Sequence, residues 1–151
     1  MKPSIKQVEN TVTKRLDEIV SRSSGMQGYF MRNVYRQYQK AQQERWKSEN
    51  KTEGNRWSPL EPTYKRRKLT RFKDYPGHGT KMLVATGKLF QSVIGPGEFH
   101  VVQATDSYLF VSTTLDYAKW VAEELPFMKF GQKTLGTIRR GISDFIVRGK
   151  K

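Results

Sequence analysis

Residues 83–120 read LVATGKLFQSVIGPGEFHVVQATDSYLFVSTTLDYAKW, and this stretch decides the fold class. Phe99–Thr105 and Tyr108–Thr114 are dense in β-branched and aromatic residues, and only Asp106-Ser107 separates them, so they are expected to pair as one antiparallel hairpin. Two strands alone are marginal in water, which means that helices must cover one face of the hairpin. Candidates flank it on both sides. Thr86 is placed to open a helix carrying Leu89, Phe90 and Val93, with Gly87 allowing close packing beneath the hairpin. Asp116 is placed to cap Tyr117–Glu124, with Leu115 and Trp120 as a hydrophobic staple and Tyr117-Ala118 setting a large residue beside a small one where the helix leaves the sheet.

Outward from this centre the pattern is helical. Ser4-Ile5-Lys6-Gln7 is a capping box, and Ile5, Val8, Val12, Leu16 and Ile19 recur at helical spacing, predicting a first helix to Val20. Met26, Phe30, Val34, Tyr38 and Ala41 form a second stripe on a helix ending near Ser48. An antiparallel pair would bury these stripes on each other or on the hairpin. Lys47–Asn55 reads as a loop or frayed end. Ser58, Pro59 and Glu61 then make a helix start, which Pro62 would shift by one turn, and Tyr64–Arg71 is a short basic helix. Trp57 is expected to anchor this entry in the core beside Leu60. Asp74–Thr80 is a glycine loop, Leu125-Pro126-Phe127-Met128 interrupts the chain, and Thr134 opens a last helix lined by Leu135, Ile138, Ile142, Phe145 and Ile146.

The expected architecture is α+β: a small antiparallel sheet packed with an N-terminal helical pair, short helices and a C-terminal amphipathic helix, in a single domain. Its segments are 1–48, the basic helix and loop of 49–82, the central unit of 83–128 and the basic tail of 129–151. With 28 basic and 14 acidic residues the net charge is +14, which favours polyanionic or acidic partners. The charge is uneven. Arg45–Lys73 holds ten basic and three acidic residues and Lys129–Lys151 seven and one, whereas Asp74–Met128 holds three and six. The expectation is a mildly acidic body with basic arms: Lys65, Arg66, Arg67, Lys68, Arg71 and Lys73 on one, Arg139, Arg140 and Arg148–Lys151 on the other. Replacing Arg66, Arg67 and Lys68 together is expected to leave the fold intact.

The chain has no cysteine, no apolar run long enough to cross a bilayer and no secretory signal at its start, so a soluble protein made in the cytoplasm, without membrane partners, is expected. His78 and His100 are the two histidines and have no carboxylate cluster nearby, so no metal site is assigned. Pro76–Lys81 lacks the spacing of a phosphate loop. Asp17-Glu18 and Glu123-Glu124 are adjacent pairs that point apart on a helix, and no serine or threonine has a base placed by a motif. A nuclease using either histidine finds no support in the spacing. No enzyme and no cofactor are expected. No base-reading motif accompanies the basic run, whose ordinary reading is a solvated face.

The order of the short motifs says more than any one of them. Trp57-Ser58-Pro59-Leu60 with Tyr64 and Lys68, then Thr86-Gly87-Lys88-Leu89 with Ser92, then the hairpin, Tyr117-Ala118 and Pro126-Phe127-Met128, resembles the tail-completion and neck proteins of tailed phages, the Mu-type virion morphogenesis group. The resemblance spans Arg56–Met128; where the family pattern often has a glycine after the Tyr-Ala helix, this chain has Glu123-Glu124-Leu125. It implies a structural virion protein that joins head to tail as a homo-oligomeric ring, with sixfold symmetry expected. Its partners would be the portal-adaptor or connector and the tail-tube or tail-terminator proteins. The basic arms would then dock acidic neighbours or make non-specific contact with passing DNA. The rival from another class is a free, non-specific nucleic-acid-binding protein using the same arms.

Overall fold

The computed structural model describes residues 5–74, 82–95 and 97–150. Ser4 of the expected capping box, the Pro76–Lys81 loop with His78, and Lys151 lie outside them. The two β-rich runs pair as β1 (His100–Ala104) and β2 (Leu109–Thr113), with His100 opposite Thr113 and Ala104 opposite Leu109. Pairing continues past both ends, because Thr105 N–H donates to the Tyr108 carbonyl and Thr114 N–H to that of Phe99, each at 2.9 Å. The Thr105 hydroxyl accepts from Ser107 and Tyr108 N–H at 3.2 and 3.3 Å and holds the tight turn closed.

Helix α1 spans Ile5–Ser23; α2 (Met26–Tyr29), a π-helical turn (Phe30–Val34) and α3 (Tyr35–Ser48) then run end to end. After them come α4 (Pro62–Arg71), α5 (Lys88–Ile94), the hairpin, α6 (Ala118–Glu124) and α7 (Gln132–Arg148). The architecture is mixed α+β and mostly helical. Met26, Phe30, Val34 and Tyr38 are buried as one stripe, but the stripe continues through Gln42, Arg45 and Trp46 and leaves Ala41 half-buried. A π turn holds more residues than an α turn, so it rotates the face that follows.

Helix α5 lies across the hairpin, and its last carbonyls have no intrahelical partner. Three side chains supply one. His100 Nδ1 bonds the Ser92 carbonyl at 2.8 Å, and the Tyr38 hydroxyl and Gln39 Nε2 donate to those of Val93 and Ile94, each at 2.9 Å. A carbonyl only accepts, so Nδ1 carries the proton; in the neutral ring Nε2 then accepts from the Tyr35 hydroxyl at 2.7 Å. Hairpin, α5 and α3 are thereby tied together. Burial pushes the Tyr35 and Tyr38 phenols above their ordinary range.

Several expected helix starts move by a few residues, each for a local reason. Helix α4 begins at Pro62, a turn after Pro59, because the Glu61 carboxylate accepts from Thr63 and Tyr64 N–H at 3.0 and 2.9 Å. Helix α5 begins after Gly87, whose φ of 83° favours glycine, so this residue serves the turn itself; the Thr86 hydroxyl accepts from Lys88 N–H at 3.4 Å. Helix α6 has Tyr117, and not Asp116, at its N-cap, with no side-chain cap. The segment after α3 is ordered by bonds and is not a frayed end. Glu49 and Asn50 turn left-handed (φ 53° and 72°), Asn50 N–H reaches back to the Arg45 carbonyl at 2.7 Å, and Trp57 N–H donates to that of Glu49 at 2.9 Å. This reversal sets Trp57, 4% exposed, edge-on to Trp46 with ring centroids 5.5 Å apart.

Two apolar clusters result. One gathers Tyr38, Trp46, Trp57, Val84, Leu89, Val93, Ile94, Ala118 and Phe127. The other packs Met26, Tyr29, Phe30 and Val34 against Ile138, Ile142, Phe145 and Ile146 of α7, with Tyr29 stacked on Phe145 at 4.3 Å. The expectation that fails is the burial of most of the first stripe: Val8, Val12 and Leu16 are 46, 50 and 57% exposed, as is Val20 at 64%, while Ile19 of the stripe is half-buried. Helix α1 meets the body through its last turns, where Arg22 Nη1 donates to the Ile146 carbonyl of α7 at 2.8 Å. The partner expected for its stripe, the helix from Met26 to Ser48, spends its own apolar face on α5, the hairpin and α7.

Candidate assembly surfaces

The motif residues that resemble the phage family divide by depth. Trp57, Leu89, Ala118 and Phe127 converge in the first cluster from four separate elements and loops. Leu60 is half-buried, whereas Pro59, Tyr117, Trp120 and Pro126 are exposed and do not anchor the core. Trp120 is 63% exposed, with the Lys119 ammonium 4.7 Å from its ring centroid. The reason is register. With Tyr117 at the N-cap, the staple positions belong to Asp116 and Val121, so Leu115 and Trp120 no longer oppose each other across the first turn.

Helix α4 presents its positive charge outward. Lys65, Arg66 and Arg67 are exposed and make no ion pair among the described residues; Arg71 lies over the Phe72 ring at 5.6 Å, and Lys73 is exposed beyond the helix end. Lys68 is a correction to this set. It is 2% exposed and faces inward with Leu60, Tyr64 and Phe72, lining a cavity of about 500 Å³ against Met82–Leu89 and Tyr117. Burial holds its ammonium below the ordinary lysine range, with Glu49 acting in the opposite sense. It is therefore turned away from partners, and the premise that it is a surface charge, on which its loss was expected to be harmless, is corrected, because its stem is part of the packing.

Arg45, counted with the basic segment in the sequence, is also interior. It is 1% exposed and donates to the Phe127 carbonyl. Desolvation lowers its pKa, while Glu53 opposes that shift. Glu53 also accepts from Gly131 N–H at 2.8 Å and from the Thr134 hydroxyl, and so ties the loop after α3 to the start of α7. On α7, Arg139 and Arg140 are exposed; Arg148 is exposed and paired with Asp144 at 3.3 Å. The two basic arms rest on different clusters, α7 on the one built around Tyr29, α4 on the side of Val84 and Leu89.

No group of three or more His, Cys, Asp or Glu side chains among the described residues is placed to hold a metal ion, and no described helix is long and apolar enough to cross a membrane. Two features escaped the reading of the sequence: the open α1 stripe, and a shallow groove between the end of β2 and α6. The groove is lined by Ser112–Asp116, Ala118–Trp120, Ala122, Phe127 and Met128. Exposed Trp120, read as a staple, was the available signal for the second. Comparison of the chain with family models, with curated proteins and with solved structures finds no match in any of the three.

Proposed function

We propose that this chain is a structural protein of a tailed-phage virion that assembles with itself at the neck and joins tail to head connector, without turnover. The observation that carries the reading is the ordered set of motifs from Trp57 to Met128, whose buried apolar members meet in a single cluster; a shared fold would preserve such residues together. Support also comes from the surfaces. A completed interior carries an uncovered apolar helix face and an outward basic helix, features of a subunit whose free energy of association is still to be gained.

The basic face of α4 meets phosphates or acidic protein in this reading and reads no bases, so DNA binding by the isolated protein is weak, steeply salt-dependent and indifferent to sequence. The test combines Lys65→Ala, Arg66→Ala and Arg67→Ala, leaving Lys68 in place. The variant should melt like the parent, yet lower the yield of joined particles when supplied in place of the parent during phage growth. Tight, sequence-selective binding of the isolated parent would defeat the proposal in favour of a free nucleic-acid-binding protein. Normal particle yield from the variant would return the charges to an ordinary solvated face.

A further inference from the structure

We propose that the cavity beneath α4 binds a small apolar carboxylate, with the Lys68 ammonium as its counter-charge. The site is separate from the assembly surfaces and does not depend on the chain being a virion subunit. It measures about 500 Å³, within the range of small-molecule pockets, and lies between the inner side of α4, the segment Met82–Leu89 and the start of α6. Leu60, Phe72, Met82, Leu83 and Val121 make its wall largely apolar, and Tyr64 and Tyr117, both exposed, bring phenol rings to its edge.

Charge singles out the occupant. Two lysines, Lys68 and Lys88, line the cavity, and no aspartate or glutamate is among its described lining residues. Lys68 is 2% exposed, so its charge is set in the wall and not in solvent, while Lys88 is exposed and marks the mouth. Glu49 acts on Lys68 from outside the lining, but its carboxylate also accepts from Arg56 Nη2 at 2.7 Å and from Met82 N–H at 3.4 Å, so one negative charge is shared between two cations. The surplus is positive, and a buried surplus of charge favours a partner of the opposite sign. An ammonium has three N–H donors, so it can meet an incoming carboxylate without giving up Glu49. A carboxylate brings the single charge that this surplus matches. A phosphate monoester brings about two and suits the forked donors of arginine, and no arginine is among the described lining residues. The wall is also held in an uncommon shape: Leu83 has a φ of 59°, in the left-handed region that a bulky side chain rarely adopts, and such strain gathers where ligands are clamped.

Octanoate is the probe, with octanol as its uncharged counterpart of the same length, each titrated into the full chain and followed by methyl resonances. The methyls of Leu60, Leu83, Val84 and Val121 should shift and saturate, while those of Ile142 and Ile146 in the other cluster stay in place. Octanoate should bind about tenfold or more tighter than octanol, since the two differ by one charge-assisted contact. Lys68→Met keeps a long unbranched stem and removes the charge; it should lose the preference for octanoate and still bind octanol as the parent does. Equal affinity of the parent for the two probes would reduce the cavity to a plain apolar surface and overturn the proposal, as would a Lys68→Met chain that keeps the preference. Shifts that spread to exposed Val8, Val12 and Leu16 of α1, or the absence of any saturable shift at millimolar octanoate, would overturn it too. A tripeptide ending in leucine that binds about tenfold tighter than octanoate, and only with its carboxylate free, would give the cavity to a partner's chain end and contradict the small-acid assignment.

Discussion

Two amphipathic helices begin this chain with stripes of similar quality, and they meet different fates. In the run from Met26 to Ser48, the apolar face is enclosed by α5, the hairpin and α7, and two of its buried polar members, Tyr38 and Arg45, are set in place by hydrogen bonds to Val93 and Phe127. In α1 the face is open along three turns. Periodicity tells which side of a helix is apolar and says nothing about which molecule covers it. Where the intrachain surface is already used up, the face stays open in the monomer.

The contrast predicts the largest difference between Trp57→Ala and Leu16→Ala. Removing the Trp57 ring opens a cavity against Trp46, and should cost about 3–5 kcal/mol in urea unfolding. Leu16→Ala should change the stability of the monomer by less than about 0.5 kcal/mol. Equal losses would show that α1 is part of the core and erase the distinction.

The interior half of the comparison is sharpened at Gly131. A Cβ there would run into the Glu53 carbonyl oxygen, which belongs to backbone and yields little. Gly131→Ala should therefore destabilise by about 1–3 kcal/mol, whereas Gly136→Ala, which meets nothing nearby, should be neutral or slightly stabilising. A neutral Gly131→Ala would mean that the loop after α3 is not held against α7.

Helix α4 contains the same contrast on a smaller scale. Lys68→Ala should lower stability by about 1–2 kcal/mol through lost packing, while Arg66→Ala and Arg67→Ala should each stay within about 0.5 kcal/mol. Thermal or urea unfolding of the three variants gives the order directly; three equal midpoints would contradict the inward orientation of Lys68.

The sequence made the hairpin legible because its two β-rich runs and its two-residue break are local signals, and the two runs pair antiparallel across that break. Trp57 was legible as an isolated aromatic in polar surroundings. Lys68 and Arg45 were not, since a charged residue in a basic run looks the same from the sequence whether it points out or in. What decides is the turn at Glu49-Asn50 and the start of α4 at Pro62, both set by bonds between residues several positions apart. Trp120 was misplaced by one residue of register in α6. The open groove beside it belongs to tertiary structure alone, because it is formed by segments that the sequence separates.

The smallest expected effect concerns the start of α4. The Thr63 and Tyr64 N–H groups hold the Glu61 carboxyl below its ordinary range. A carboxylate whose folded pKa is depressed stabilises fully above its unfolded value and loses that contribution as pH falls through the lowered one. Glu61→Gln should thus be less stable than the parent at neutral pH and approach it under acid conditions, as read by unfolding midpoints across the acid range. Parallel curves for the two proteins would deny the cap its charge.

Hydrogen exchange along α1 tests the central distinction most directly. In dilute monomer, the amides of Lys6–Leu16 should exchange fast, far ahead of those of Tyr38–Trp46 in α3, and should become protected as concentration rises and copies associate. Strong, concentration-independent protection of α1, equal to that of α3, would show that this face is covered within a single chain and would contradict the account.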